Sequence, residues 1–268
     1  MQRALELDNS DTLEWRLRDT QHVLEDVKTL GEMVRTGSLG GTTMPEDAHP
    51  RLEPGTDQNY HYFTLTMALN YQRNSYALWK AATATFVDPD TAMVFAPRAV
   101  LQMSDETLRD TLLRHKLALQ PQRHPAIWRR ICEGIVEHFN GDIRTLFAQT
   151  DGSVDRILKV LQEDTKKSFP YLSGTKICHY WLYVMEQYTD VTLKQRHFIS
   201  VAPDTHVVKA TCKLGLVSPD AIASSKAQEH VVSAWLATLE GTGIQPIDIH
   251  TRLWLWSRAG FPPIGKVV

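Results

Sequence analysis

Cysteine is scarce in this chain: three thiols, Cys132, Cys178 and Cys212, stand far apart among 268 residues. An iron–sulfur cluster takes four thiolates, so none is expected, and no metal site or other cofactor is predicted. The thiols agree with a reducing compartment, as small buried residues. Long apolar runs are also missing. Nowhere do about 18 such residues follow one another, and no apolar stretch follows a basic start, so neither a membrane span nor a signal peptide is expected. A cytoplasmic setting follows. Segments alternating with period two are few, which points to an all-α fold. Finally, there is no excess of positive charge: 29 Lys and Arg face 31 Asp and Glu, a net charge of −2. A phosphate-binding protein usually shows a basic face, so any such face here must be local.

With 43% hydrophobic residues, the chain can bury a sizeable core as one large domain or as two lobes around a cleft. Residues 10–36 read as an amphipathic helix carrying Leu13, Leu17, Val23, Leu24, Val27 and Leu30 at helical spacing. The Gly-, Pro- and acid-rich stretch to residue 57 reads as a mobile loop, so residues 1–57 form an extension and 58–268 the core. Further helices are predicted over 58–86, 104–118, 124–139, 153–164, 175–188, 204–215, 219–223 and 226–240. Asp105, Glu106, Ser153 and Asp155 mark starts, and Gly141, Gly215 and Gly241 mark ends. The acidic excess lies early, between Glu6 and Asp26 and between Glu46 and Glu53. Lys166, Lys167, Lys194, Arg196, Lys209 and Lys213 lie in the second half, and Arg123, Arg129 and Arg130 add to that face.

The chemistry concentrates in two stretches. In Phe169-Pro-Tyr-Leu-Ser-Gly-Thr-Lys176-Ile-Cys-His-Tyr-Trp, a tight turn closed by Gly174 opens an apolar helix and leaves Lys176 in its first turn. The positive end of a helix dipole disfavours an ammonium there and favours the neutral amine, a nucleophile. In Pro203-Asp204-Thr-His-Val, Asp204 stands at another helix start, 28 residues on.

These two stretches resemble the helix-hairpin-helix DNA glycosylases, the superfamily of endonuclease III and the archaeal 8-oxoguanine DNA glycosylases. In that family a hairpin Leu-Pro-Gly-Val-Gly-x-Lys ends in the Schiff-base lysine, and a later Asp-Thr-His-[Val/Ile] carries the catalytic aspartate. Lys176 and Asp204 match them. Upstream, Leu65-Thr-Met-Ala-Leu-Asn-Tyr-Gln-Arg-Asn-Ser75 resembles the family's early helix, whose end carries the residue that fills the gap left by an extruded nucleotide, here Gln72. The stretch Leu108 to Phe147 resembles the helix pair between these landmarks. Similarity extends over roughly residues 58 to 220. The chain departs from the pattern in keeping a single hairpin glycine, in a longer interval between lysine and aspartate, and in lacking a four-cysteine loop.

The resemblance implies a two-lobed helical fold that binds double-stranded DNA and extrudes a damaged or modified base.

 It further implies that Lys176 attacks C1′ as the free amine, that Asp204 supports the attack, and that an iminium forms whose collapse gives abasic-site lyase activity. Gln72, Arg73, Gly174, Thr175, His206 and Lys209 are the DNA contacts that follow from it. Asp248 and Trp254 are the expected base pocket. An 8-oxoguanine-like substrate is favoured. Two alternatives stay open: a glycosylase removing an enzymatically modified base from foreign or phage DNA, and a non-catalytic nucleic-acid binding module. A nucleoid-associated monomer without cofactor is expected.

Overall fold

The computed structural model describes residues 17–40 and 43–265, and among these it contains helices and no strand. In chain order the helices are α1 (Thr20–Arg35), α2 (Asp57–Ala68), α3 (Ser75–Val87), α4 (Pro97–Val100), α5 (Asp105–Arg114), α6 (Arg123–Phe139) and α7 (Arg144–Gln149). They continue with α8 (Val154–Lys159), α9 (Thr175–Tyr188), α10 (Thr205–Lys213), α11 (Pro219–Ala223), α12 (Ala227–Leu239) and α13 (His250–Arg258). The all-α expectation holds. No helix among the described residues is long and apolar enough to cross a membrane.

Local chemistry accounts for many of the boundaries. Thr56, Asn74, Ser104, Asp204 and Ser218 each accept a hydrogen bond from a backbone N–H of the helix they precede, satisfying donors that the first turn leaves open. Gly141, Gly215 and Gly241 adopt left-handed φ angles of 83°, 76° and 72° just beyond helix ends, where a Cβ is disfavoured. The expected helix over 58–86 is instead two, α2 and α3. The apolar run through Leu69 hides the break, but Gln72 turns left-handed at φ 51° and Asn74 caps a new helix through Ala77 N–H, at 3.0 Å.

Buried apolar residues form two clusters. The first runs from Tyr60 to Ile199 and adds Ile247; it takes in Trp79, Trp128 and Trp181. The second joins residues between Val23 and Met44 to residues between Val201 and Trp256. The boundary expected at residue 57 therefore does not follow the packing, since α1 lies against α12 and α13. Leu13 lies outside the described residues, and Leu17 precedes α1 and is exposed. Within the stretch read as a mobile loop, Pro45–Ala48 forms a 3₁₀ turn whose Pro45 and Glu46 are buried.

Ahead of α9 the chain makes a tight reversal between helical segments. From α8 the chain passes through a π-helical turn (Val160–Asp164) and a 3₁₀ turn (Lys166–Ser168), reverses over Phe169–Gly174 and enters α9. The reversal is closed by Ser173 N–H to Phe169 O at 2.9 Å and Gly174 N–H to Tyr171 O at 3.0 Å. Tyr171, not a glycine, takes the left-handed position, at φ 64°. The hairpin is anchored on α6, where Arg130 donates to Ser168 Oγ at 2.8 Å and His138 Nε2 lies 3.0 Å from the same atom. Gly134 allows this approach: a Cβ there would stand 2.9 Å from both Ser168 Cβ and Ser168 O.

Gly134→Ala tests that anchorage. Alanine favours a helix interior over glycine by about 1 kcal/mol, whereas overpacking against a backbone carbonyl costs about 1–3 kcal/mol. The expected net result is a lowered thermal midpoint by calorimetry. A raised midpoint would mean that the hairpin moves aside without strain.

Candidate functional site

Between the two clusters lies a cleft of about 1150 Å³. Its walls come from the α2–α3 turn, the hairpin, the first turns of α9 and α10, the face of α13 and the buried Pro45–Glu46 turn. Gln72, Arg73, Gly174, Thr175, Lys176, Asp204, His206 and Trp254 all line it; Lys209 and Asp248 are not among the lining residues. A smaller cavity of about 510 Å³, beside Leu236 and the Gly241–Pro246 loop, holds none of the expected residues.

Lys176 is exposed in the first turn of α9. Gly174 precedes this turn at an ordinary φ of −67° and offers no capping side chain. First-turn N–H groups have no partner within their own helix, so this end suits an anion. The start of α10 is built differently. Asp204 Oδ1 accepts from the N–H groups of His206 and Val207, each at 2.9 Å, and Oδ2 accepts from the indole N–H of Trp254 at 2.9 Å. Both oxygens are thus oriented, one by its own helix and one from α13. Trp254, expected as a stacking face, holds the aspartate and is 6% exposed. Its ring meets His206 edge-on at 5.0 Å, and His206 Nδ1 lies 3.0 Å from Ser257 Oγ.

The chain matches no known protein-family model and no curated protein.

The remaining expected residues divide. Gln72 is exposed at the cleft, its side chain making no hydrogen bond among the described residues. Arg73 donates to the carbonyls of Leu117, at 2.7 Å, and Lys116, at 3.3 Å, which ties the α2–α3 turn to the segment after α5. The Asp248 carboxylate pairs with Arg196 at 2.6 Å, and Arg196 also meets Glu186 at 2.9 Å. Lys194 pairs with Asp151, Arg129 with Asp105 and Arg130 with Glu133. The basic face is therefore narrower than expected: Arg73, Arg123, Lys166, Lys176 and Arg258 line the cleft against two carboxylates, Glu46 and Asp204. On its rim the rings of Tyr71 and Tyr171 lie 4.7 Å apart, and the Arg123 guanidinium sits 5.1 Å from the Tyr171 ring centre.

Two residues that the sequence reading passed over stand in the cleft wall. Glu46 is 1% exposed, its Oε1 accepts from the Tyr180 hydroxyl, and its Oε2 has no partner. Burial raises its pKa to about 7. His250 is 2% exposed, with Nδ1 unpartnered, and burial lowers its pKa to about 4. Its ring centre lies 4.6 Å from that of Tyr180. A buried polar atom left without a partner costs about 1–3 kcal/mol, so each is an expense that packing alone does not explain. Among the described residues no group of three or more His, Cys, Asp or Glu could hold a metal ion.

Burial likewise lowers the pKa of His179 to about 4. Its Nδ1 accepts from Ser200 N–H at 2.9 Å, which protonation would abolish. Because the unfolded chain binds this proton near pH 6.5 and the folded chain only near 4, the neutral ring's contribution is intact above 6.5 and is lost as pH falls towards 4. Glu46 acts in the opposite sense over part of that range. The informative quantity is therefore the difference between wild type and His179→Asn, which keeps an acceptor and cannot titrate. The thermal midpoint of wild type is expected to fall relative to the variant between pH 6.5 and 4; parallel curves would refute the assignment.

Proposed function

We propose that the protein is a DNA glycosylase of helix-hairpin-helix type that excises a damaged or modified base and cleaves the resulting abasic site through a Schiff base on Lys176. The observation carrying this reading is that Lys176, in the uncapped first turn of α9, and Asp204, capping α10, line one cleft together with Gln72. The two hydrophobic clusters with a cleft between them suit the two lobes of such enzymes. Double-stranded DNA is the partner, read by a monomer associated with the nucleoid.

In this reading the hairpin and the open N–H groups of α9 take a backbone phosphate, and the cations of the cleft hold the flanking strand. Gln72, projecting from a left-handed turn, enters the gap left by the extruded nucleotide. Lys176 Nζ, as the free amine, then bonds to C1′ while the C1′–N bond to the base breaks and its electron pair leaves with the base. Positive charge develops on the sugar. Asp204, held by three N–H donors, stabilises that charge electrostatically. The adduct gives up a proton from Nζ, and its C1′–O4′ bond opens with O4′ protonated, leaving an iminium between Nζ and C1′ that acidifies C2′; loss of a C2′ proton then expels the 3′ phosphate.

The test is borohydride trapping on duplexes carrying 8-oxoguanine, thymine glycol, hydroxymethylcytosine, its glucosylated form or an abasic site. Wild type is expected to give a covalent adduct and Lys176→Ala none. Asp204→Asn is expected to slow base release by roughly 10²–10⁴-fold, the range for a group acting in the transition state. No adduct on any duplex, the abasic one included, would remove the lyase assignment.

A further inference from the structure

Resting on the glycosylase reading, we propose that Glu46, with His250 beside it, forms the recognition floor for the extruded base, and that this floor selects bases carrying an exocyclic amino group. The argument begins with position. Lys176 and Tyr180 are four residues apart on α9, hence on the same face and separated by about 6 Å along the helix axis. The Tyr180 hydroxyl holds Glu46 Oε1. The carboxyl is therefore placed one helical turn below the amine that reaches for C1′, on the side where a base attached to that carbon extends.

The second part is chemical polarity. Glu46 Oε2 and His250 Nδ1 both belong to residues lining the cleft and both lack a partner although their residues are almost fully buried. Held neutral by burial, the His250 imidazole can present Nδ1 as an acceptor. Both residues line the one cleft, and what completes two such acceptors is a ligand rich in N–H donors. An amino group next to a ring nitrogen supplies these. Thymine and uracil derivatives instead offer one N–H between two carbonyl oxygens, which would stand against the Glu46 carboxyl.

The third part is the support given to Glu46. Its short turn is fastened by the Tyr76 hydroxyl to Thr43 O at 2.6 Å, by Thr83 Oγ1 to Ala48 O at 2.6 Å, and by the Tyr188 hydroxyl to Asp47 Oδ1 at 2.6 Å. These bonds anchor the segment without Glu46. The Tyr180 bond occupies only one carboxyl oxygen, and an amide would serve that purpose as well. An anchoring role therefore leaves Oε2 without an explanation, whereas a recognition role uses it.

The experiment measures single-turnover base release by wild type and Glu46→Gln, alongside borohydride trapping on an abasic duplex, which has no base to recognise. The variant keeps an acceptor for Tyr180 and places an amide N–H₂ where Oε2 stood. Release of an amino-bearing base is expected to fall at least tenfold with abasic trapping unchanged. In wild type, an amino-bearing base is expected to be released at least tenfold faster than its counterpart without the amino group, with 8-oxoguanine set against 8-oxohypoxanthine, which lacks the 2-amino group, and hydroxymethylcytosine against hydroxymethyluracil. This second comparison needs no variant and stands even if Glu46→Gln folds poorly. Equal release within the pairs, or release by the variant at the wild-type rate, would overturn the inference while leaving the glycosylase reading intact. Failure of wild type to release or trap anything would overturn both.

Discussion

The packing of α9 is the constraint on which the arrangement of this molecule depends. Ile177, Cys178, Trp181, Leu182 and Met185 put one side of that helix into the first core, and the Trp181 indole N–H is satisfied inside it by Thr64 Oγ1 at 3.1 Å. Tyr180 projects from another side and packs against both cores. The helix is thereby fixed along its length while its first turn opens into the cleft. Lys176, the hairpin and the Glu46 carboxyl take their relative places from this one rigid element.

Much of that element was legible in the sequence. The predicted span of 175–188 coincides with α9, because an apolar helical period follows a turn closed by Gly174 and needs no distant partner to be recognised. Asp204 at the head of α10 was legible for the same reason, as a cap residue ahead of its helix. The break at Gln72 was not. Met67, Ala68 and Leu69 continue the apolar run of α2, and only the left-handed turn shows that the chain reverses there.

Long-range pairing accounts for what the sequence could not disclose. Glu46 sits in a stretch whose composition suggests a solvated loop, and its burial depends on Tyr180, 134 residues away. Asp248 and Trp254, close in sequence, part company in space: one is paired with Arg196, the other bonded to Asp204. Similarly, whether Lys194 or Arg123 contributes to a positive surface turns on whether a carboxylate from elsewhere has already neutralised it. Composition counts charges, but only the fold pairs them.

The second core is assembled from two segments far apart in sequence, with residues between Val23 and Met44 packed on residues between Val201 and Trp256. The first is drawn from the stretch between them, apart from Ile247. During synthesis, α1 emerges long before α12 and α13, its principal partners, so its apolar face has nothing to close on until they follow. The middle core has most of its parts well before then. The wall carrying Asp204 and Trp254 therefore belongs to the later-assembled core, and the cleft takes shape only after the middle core has its parts.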